Sequence, residues 1–211
     1  MAKKNSLIHC YTDQLWNQNQ ILVAILGICS ALAVTIKVNV AVTMGIAVIF
    51  VTGLSSFFIS LIRQIIPPNV RMIAELVIIS LFVIIVDQYL VAYFYKMSLI
   101  LSVFIGLIIT NCLVMGRAEA FAKDHPSLPS LFDGLGAASG YALVLLVVGI
   151  IREFFGFGSF FGYPLIPQSW YATPEHPNRY MNSNFMALAP SAFFIIGGMI
   201  WIRNIIVKKR S

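Results

Sequence analysis

The sequence predicts an all-α integral membrane protein. Six transmembrane helices form two inverted three-helix repeats, with short or broken helices 1 and 4. Three observations carry that reading. Hydrophobic residues fill 59% of the 211 positions and charged residues 10%, and mean hydropathy is +0.89. Soluble domains run near 25% charged, and a globule of this size still requires a polar surface, so the apolar excess has no soluble core to enter. The apolar residues also gather into six runs, on the scale of the roughly 20 helical residues that cross a bilayer. Finally, features of the first three runs recur in the last three.

Residues 1–20, "MAKKNSLIHCYTDQLWNQNQ", form a polar lead-in. Its lysines are followed by neither an apolar stretch nor a small-residue cleavage pattern, so it reads as retained rather than as a signal peptide. The first span, 21–36, is short. The second, 39–62, is closed by Arg63, and Pro67-Pro68 then breaks the chain, because proline cannot continue a helix and restricts the residue before it. The third span covers 70–95 and completes a first repeat over 21–95. The fourth covers 97–115 and runs into the polar stretch "GRAEAFAKDHPSLPS". The fifth covers 131–155 and the sixth 185–207, within a second repeat over 96–211. Between them, loop 156–185 is rich in Gly, Pro and aromatic residues, including Tyr163, Trp170, Tyr171 and Tyr180. Such rings suit the headgroup level, so an ordered surface loop is expected.

Basic residues set the orientation. One side of the six spans receives Lys3, Lys4, Arg63, Arg71, Arg117, Lys123, Arg203, Lys208, Lys209 and Arg210; the other receives Lys37, Lys96, Arg152 and Arg179. Ten against four places both termini in the cytoplasm. The net charge of +6 is therefore spread over span ends and is not a nucleic-acid footprint.

The repeat is faint but regular. Cys29 and Cys112 lie 83 positions apart, in the first and fourth spans; "LIRQ" at Arg63 and "IIREF" at Arg152 lie 89 apart, ending the second and fifth. Three spans per copy is an odd number, so the copies must cross the bilayer in opposite senses, as in many transporters.

Few residues are equipped for chemistry. No Walker loop, dinucleotide fingerprint or zinc-protease motif is present, and His9, His125 and His176 lack ligand spacing. A membrane cysteine is most often a small hydrophobe packed between helices. Three features set Cys29 and Cys112 apart. They match within the repeat, they have small or polar neighbours in "GICSA" and "TNCLV", and charges follow each of them. Inverted copies bring both to the pseudo-twofold axis near the midplane. Two thiolates are half of an iron–sulfur ligand set, which takes four, so a second protein would supply the rest. The rival, a disulfide, is disfavoured by a reducing compartment and the lack of a local redox motif. Cys10 has no repeat partner and reads as an incidental surface thiol.

Two acidic residues fall within spans. Asp87 in "VIIVDQYL" and Asp133 in "LFDGLG" are costly there, at about 2.5–3.5 kcal/mol for Asp at a helix centre. Each has a functional reading, cation or proton handling, and a structural one. Asp133 could cap the fifth helix, and Asp87 could sit at the outer interface beside Gln88 and Lys96. The pairs Arg117/Glu119 and Arg152/Glu153 read as interfacial anchors and ion pairs.

Five stretches then carry a resemblance: "GICSALAVTIK" at 27–37, "FVTGLSSFFISLIR" at 50–63, "LIITNCLVMGRAEAFA" at 107–122, "LFDGLG" at 131–136 and "LAPSAFFIIGGMIW" at 188–201. They resemble one family of membrane proteins, from about residue 20 to 205. Its members include the D and E subunits of the bacterial sodium-translocating NADH:quinone oxidoreductase and two subunits of the related Rnf ferredoxin:NAD oxidoreductase. "CSALAVT" after Cys29 is similar to the D type, whereas the Rnf counterpart has a Pro just after this Cys. The resemblance implies close pairing with the E subunit in a six-subunit complex of the inner membrane. It implies a [2Fe–2S] cluster within the membrane, two cysteines from each partner, and here Cys29 and Cys112. Asp87 and Asp133 match acidic residues implicated in sodium handling, and Arg117 matches the basic charge of the "GRAEAFA" block. The complex would pass electrons from NADH to ubiquinone and export Na+, with NADH, FMN, FAD and riboflavin on its other members. The alternatives are the Rnf counterpart and a secondary cation transporter without redox chemistry. The lead-in and loop 156–185 depart from the family pattern.

Overall fold

The computed structural model describes residues 11, 14–15, 18–63, 65–67, 70–93, 104–157, 159–160, 163–164 and 188–210. Cys10 and most of the lead-in, Lys96, the opening of the fourth span, nearly all of loop 156–185 and residues 185–187 lie outside the described residues.

Seven helical pieces make up most of the described chain. They are α1 (Ile28–Val34), α2 (Val38–Ile62), α3 (Arg71–Tyr93), α4 (104–109), α5 (Cys112–Arg117), α6 (Ser127–Phe157) and α7 (Pro190–Arg210). A π-helical turn, Ala118–Ala122, extends α5. A two-residue ladder pairs Ser159–Phe160 with Tyr163–Pro164. Among the described residues, five stretches are long and apolar enough to cross a membrane: Val38–Ile62, Arg71–Tyr93, Phe104–Ala122, Ser127–Gly156 and Pro190–Lys209.

The first span expected over 21–36 is not one helix. Residues 19–27 run without helix, and α1 occupies only seven positions after them. Two backbone conformations explain the break. Ile25 and Gly27 both have positive φ, 58° and 83°, a region that an ongoing right-handed helix cannot use. At the far end, Lys37 is extended and starts α2 afresh. The fourth span is likewise interrupted, at Thr110–Asn111, in keeping with the short or broken helices expected for the first and fourth spans. The fifth begins four residues earlier than expected, at Ser127.

α2 and α6 pack along one another at the centre. Small residues make that approach possible: a Cβ on Gly45 would lie 3.0 Å from Ala142, and one on Gly134 would lie 3.1 Å from the Thr52 carbonyl oxygen. In lipid, where apolar burial gives helices no preference for each other, such backbone proximity and its dispersion contacts drive association. Met44, Val48, Val51, Tyr141, Leu145 and Val148 complete the core.

The surrounding contacts repeat about this axis. α3 packs on α2 as α7 packs on α6, and the short α1 leans on α7 as α5 leans on α3. This is the exchange that two copies of one three-helix unit make. The outer faces are apolar: Ile73, Val77, Leu81 and Ile84 on α3, and Phe193, Phe194, Trp201 and Ile205 on α7, are all exposed. A surface of that kind belongs in hydrocarbon or against another membrane chain.

Candidate functional site

The two breaks meet. Gly27, which precedes α1, donates its backbone N–H to Cys112 Sγ at 2.8 Å. Cys29 is the second residue of α1, and Cys112 is the first of α5. Cys112 therefore opens a half-helix; it does not close the fourth span. Both thiols are free and exposed.

Behind them lies a buried polar network. Asn111 Oδ1 accepts from the Leu113 N–H at 3.0 Å and caps α5, while Asn111 Nδ2 donates to Ser30 Oγ at 3.2 Å. The Ser30 hydroxyl also bonds the Tyr141 hydroxyl. One side chain from each broken span and one from α6 thus tie the two thiol-bearing turns together. A Cβ on Gly27 would stand 2.7 Å from the Tyr141 ring, so the turn combines positive φ with a close approach that only glycine allows. Sequence reading passes over Ser30 and Tyr141. Tyr141 stands alone as a hydrogen-bonding ring within "GYALVLL", and a polar ring in such a run is the signal that could have found it.

Arg152 and Glu153 do not anchor at an interface. Arg152 is 1% exposed. One guanidinium nitrogen donates to Leu32 O at 3.1 Å and to Thr35 Oγ1 at 2.7 Å, and the other to Leu188 O at 3.1 Å. Glu153 accepts the Val38 N–H at 2.7 Å. The pair thus satisfies backbone and side-chain groups left open where α1 ends and α2 begins, as buried polar groups require. Arg63 does the equivalent in the other half. It donates to Lys123 O at 3.4 Å and His125 O at 2.9 Å, between the π-turn and α6, and the Ser60 hydroxyl joins it on His125 O at 2.6 Å.

Asp133 is buried and bonded by Arg117 Nε at 2.9 Å and by a second guanidinium nitrogen. It lies in the second turn of α6, which starts at Ser127, so it is not the cap of that helix. Arg117 is buried with it, while Glu119 pairs with Lys123 at 3.0 Å on the exposed side. Asp87 is half-buried on α3 and has no ion pair among the described residues. The structure therefore does not join Asp87 to Asp133. Glu75, which sequence reading also passes over, is buried in α3 beside a small pocket lined by Arg63, Arg71 and Lys123. It follows Arg71 by four positions, and that spacing at a span entrance is its signal in the sequence.

Known proteins are similar to this chain over most of its length. Positions 7–200 match the family model described as "Rnf-Nqr subunit, membrane protein". The chain belongs to the Rnf-Nqr family. A Chlamydia felis protein, named as the D subunit of Na(+)-translocating NADH-quinone reductase, is 59% identical over 211 residues, covering all of this chain and 99% of that protein. The proteins of the same name from Chlamydia pneumoniae and Chlamydia trachomatis serovar L2 are 56% and 58% identical, over 100% and 98% of this chain and 99% and 97% of theirs. As a member of the Rnf-Nqr family, this chain is a multi-pass membrane protein, consistent with the five long apolar stretches among its described residues.

Proposed function

We propose that this Rnf-Nqr chain serves as the D subunit of a sodium-translocating NADH:quinone reductase in the bacterial inner membrane. In this reading Cys29 and Cys112 supply two of the four thiolates of an intramembrane [2Fe–2S] cluster, and the E subunit supplies the other two. The observation that carries it is the Gly27 N–H on Cys112 Sγ, which brings the turn leading into Cys29 against Cys112 where two broken helices meet, with both thiols exposed. The donor set fits. Both sulfurs are exposed, a backbone N–H orients the Cys112 sulfur, and among the described residues no group of three or more metal-ligating side chains is present. A metal held there would draw its remaining ligands from a neighbour, which is why both thiols face outward.

When bound, such a cluster supplies a one-electron relay within the membrane. This chain's own residues do the positioning. Asn111, Ser30 and Tyr141 hold the turns, and the α2–α6 core excludes water behind them. NADH, flavin and quinone chemistry falls to other members of the six-subunit complex, with the E subunit as the immediate partner. Asp87, which has no ion pair among the described residues, is available to a passing Na+. Asp133 is engaged by Arg117 and would reach Na+ only after that pair opens. Both termini face the cytoplasm in this reading.

The test is iron content and the low-temperature EPR spectrum of the purified complex, wild type against Cys29→Ala and Cys112→Ala. Either change should abolish the cluster signal and quinone reduction together. An iron-free wild type, or variants that keep full quinone reduction, would point to a cation transporter without redox chemistry.

A further inference from the structure

We infer that Arg152 and Arg63 are positioning residues for the redox centre: Arg152 locks the far end of the half-helix that carries Cys29, Arg63 holds the chain that leaves the π-turn following the Cys112 half-helix, and each places a fixed positive charge on its side of the thiols. The inference rests on the reading of Cys29 and Cys112 as cluster ligands. α1 is seven residues long and carries Cys29 at its second position; Arg152 grips its other end through Leu32 O and Thr35 Oγ1. Arg152 also reaches across to Leu188 O at the entrance of α7, so one side chain pins α1 between α6 and α7. The element that starts at Cys112 ends at the π-turn, and Arg63 holds the chain leaving it through Lys123 O and His125 O. Arg152 terminates the fifth span and grips the first; Arg63 terminates the second and grips the exit of the fourth. The two arginines are thus exchanged between the repeats, and each secures the sulfur-bearing element of the opposite half.

The geometry sets the size of the effect. Seven helical residues rise about 10 Å, so the Arg152 charge stands on the order of 10 Å from Cys29. A unit charge at that range, at an effective dielectric near 20, changes a one-electron equilibrium by about tenfold. A tenfold change in a one-electron couple is 59 mV. Removing the positive charge favours the oxidised, less negative cluster, so the potential falls.

The experiment is an EPR-monitored redox titration of the purified whole complex carrying Arg152→Gln, Arg152→Lys or Arg63→Gln. Arg152→Gln should lower the midpoint by a factor of about ten in the reduction equilibrium and broaden the signal. Arg152→Lys, which keeps the charge without the fork, should recover most of the midpoint while the signal stays broad. Arg63 is only partly buried and its partners lie 11 and 13 residues beyond Cys112, so Arg63→Gln should shift the midpoint in the same direction by a smaller amount. A wild-type midpoint in Arg63→Gln overturns the inference, whether or not the Arg152 variants assemble. A wild-type complex without any cluster signal refutes the underlying reading instead, so the two failures are distinguishable.

Discussion

Replacing Gly27 with alanine tests the closure of the two thiol-bearing turns. The new methyl carries two separable costs. The first is backbone: φ of 83° lies in the left-handed region, which costs an L-residue about 1–2 kcal/mol. The second is steric: the Cβ would stand 2.7 Å from Tyr141 Cε2, 3.2 Å from Cδ2 and 3.5 Å from Asn111 Oδ1. Tyr141 is fully buried and cannot swing aside freely, and overpacking of this kind costs about 1–3 kcal/mol. The expected total is about 2–5 kcal/mol, measured by detergent-induced unfolding of the protein in mixed micelles. Tyr141→Leu separates the two costs. It removes the ring that meets the methyl, so the double variant should be more stable than the sum of the single changes by about 1–3 kcal/mol. Additivity within about 0.5 kcal/mol would show that the ring does not confine Gly27 and would refute the packing argument.

Asn111→Ala removes the cap on Leu113 and the bond to Ser30, and should cost about 1–2 kcal/mol in the same unfolding assay. Asp133→Asn strands the buried Arg117 guanidinium; the expected loss is about 3–5 kcal/mol, and Arg117→Met in the same chain should restore most of it. Asp87→Asn breaks no ion pair of the described residues and should stay within about 0.5 kcal/mol of wild type in stability. Its consequence is expected in the Na+ dependence of quinone reduction, measured in reconstituted vesicles; an unchanged Na+ response would remove Asp87 from the cation path. Gly45→Leu drives a side chain into Ala142, and should cost about 1–3 kcal/mol and separate α2 from α6.

The sites are legible in the sequence to different degrees, for reasons that differ by residue. Cys29 and Cys112 stand out because a repeat signal marks them, and the structure does bring their turns together. Asp87 and Asp133 stand out as charges in apolar runs, but hydropathy carries no information on partners. Asp133 is held by Arg117, 16 positions away, and Asp87 is unpaired among the described residues. Arg152 and Glu153 read as surface anchors because they end an apolar run. They are buried because the broken first span leaves backbone groups open beside them, and a buried N–H or carbonyl left unbonded is costly. Glu75 escapes notice because Arg71 makes its span entrance look ordinary.

From the amino-acid sequence alone come the membrane class, the placing of most spans, the paired cysteines and the family, because hydrophobic excess and local motifs are written residue by residue. The residues at which the first and fourth helices break, Gly27 and Asn111, the network joining Ser30, Asn111 and Tyr141, and the exchange of Arg63 and Arg152 between halves are decided only in three dimensions. Those features arise where a helix must stop inside a low-dielectric core. There the open backbone groups draw partners from 60 to 120 residues away in the chain, a separation over which no local pattern can reach.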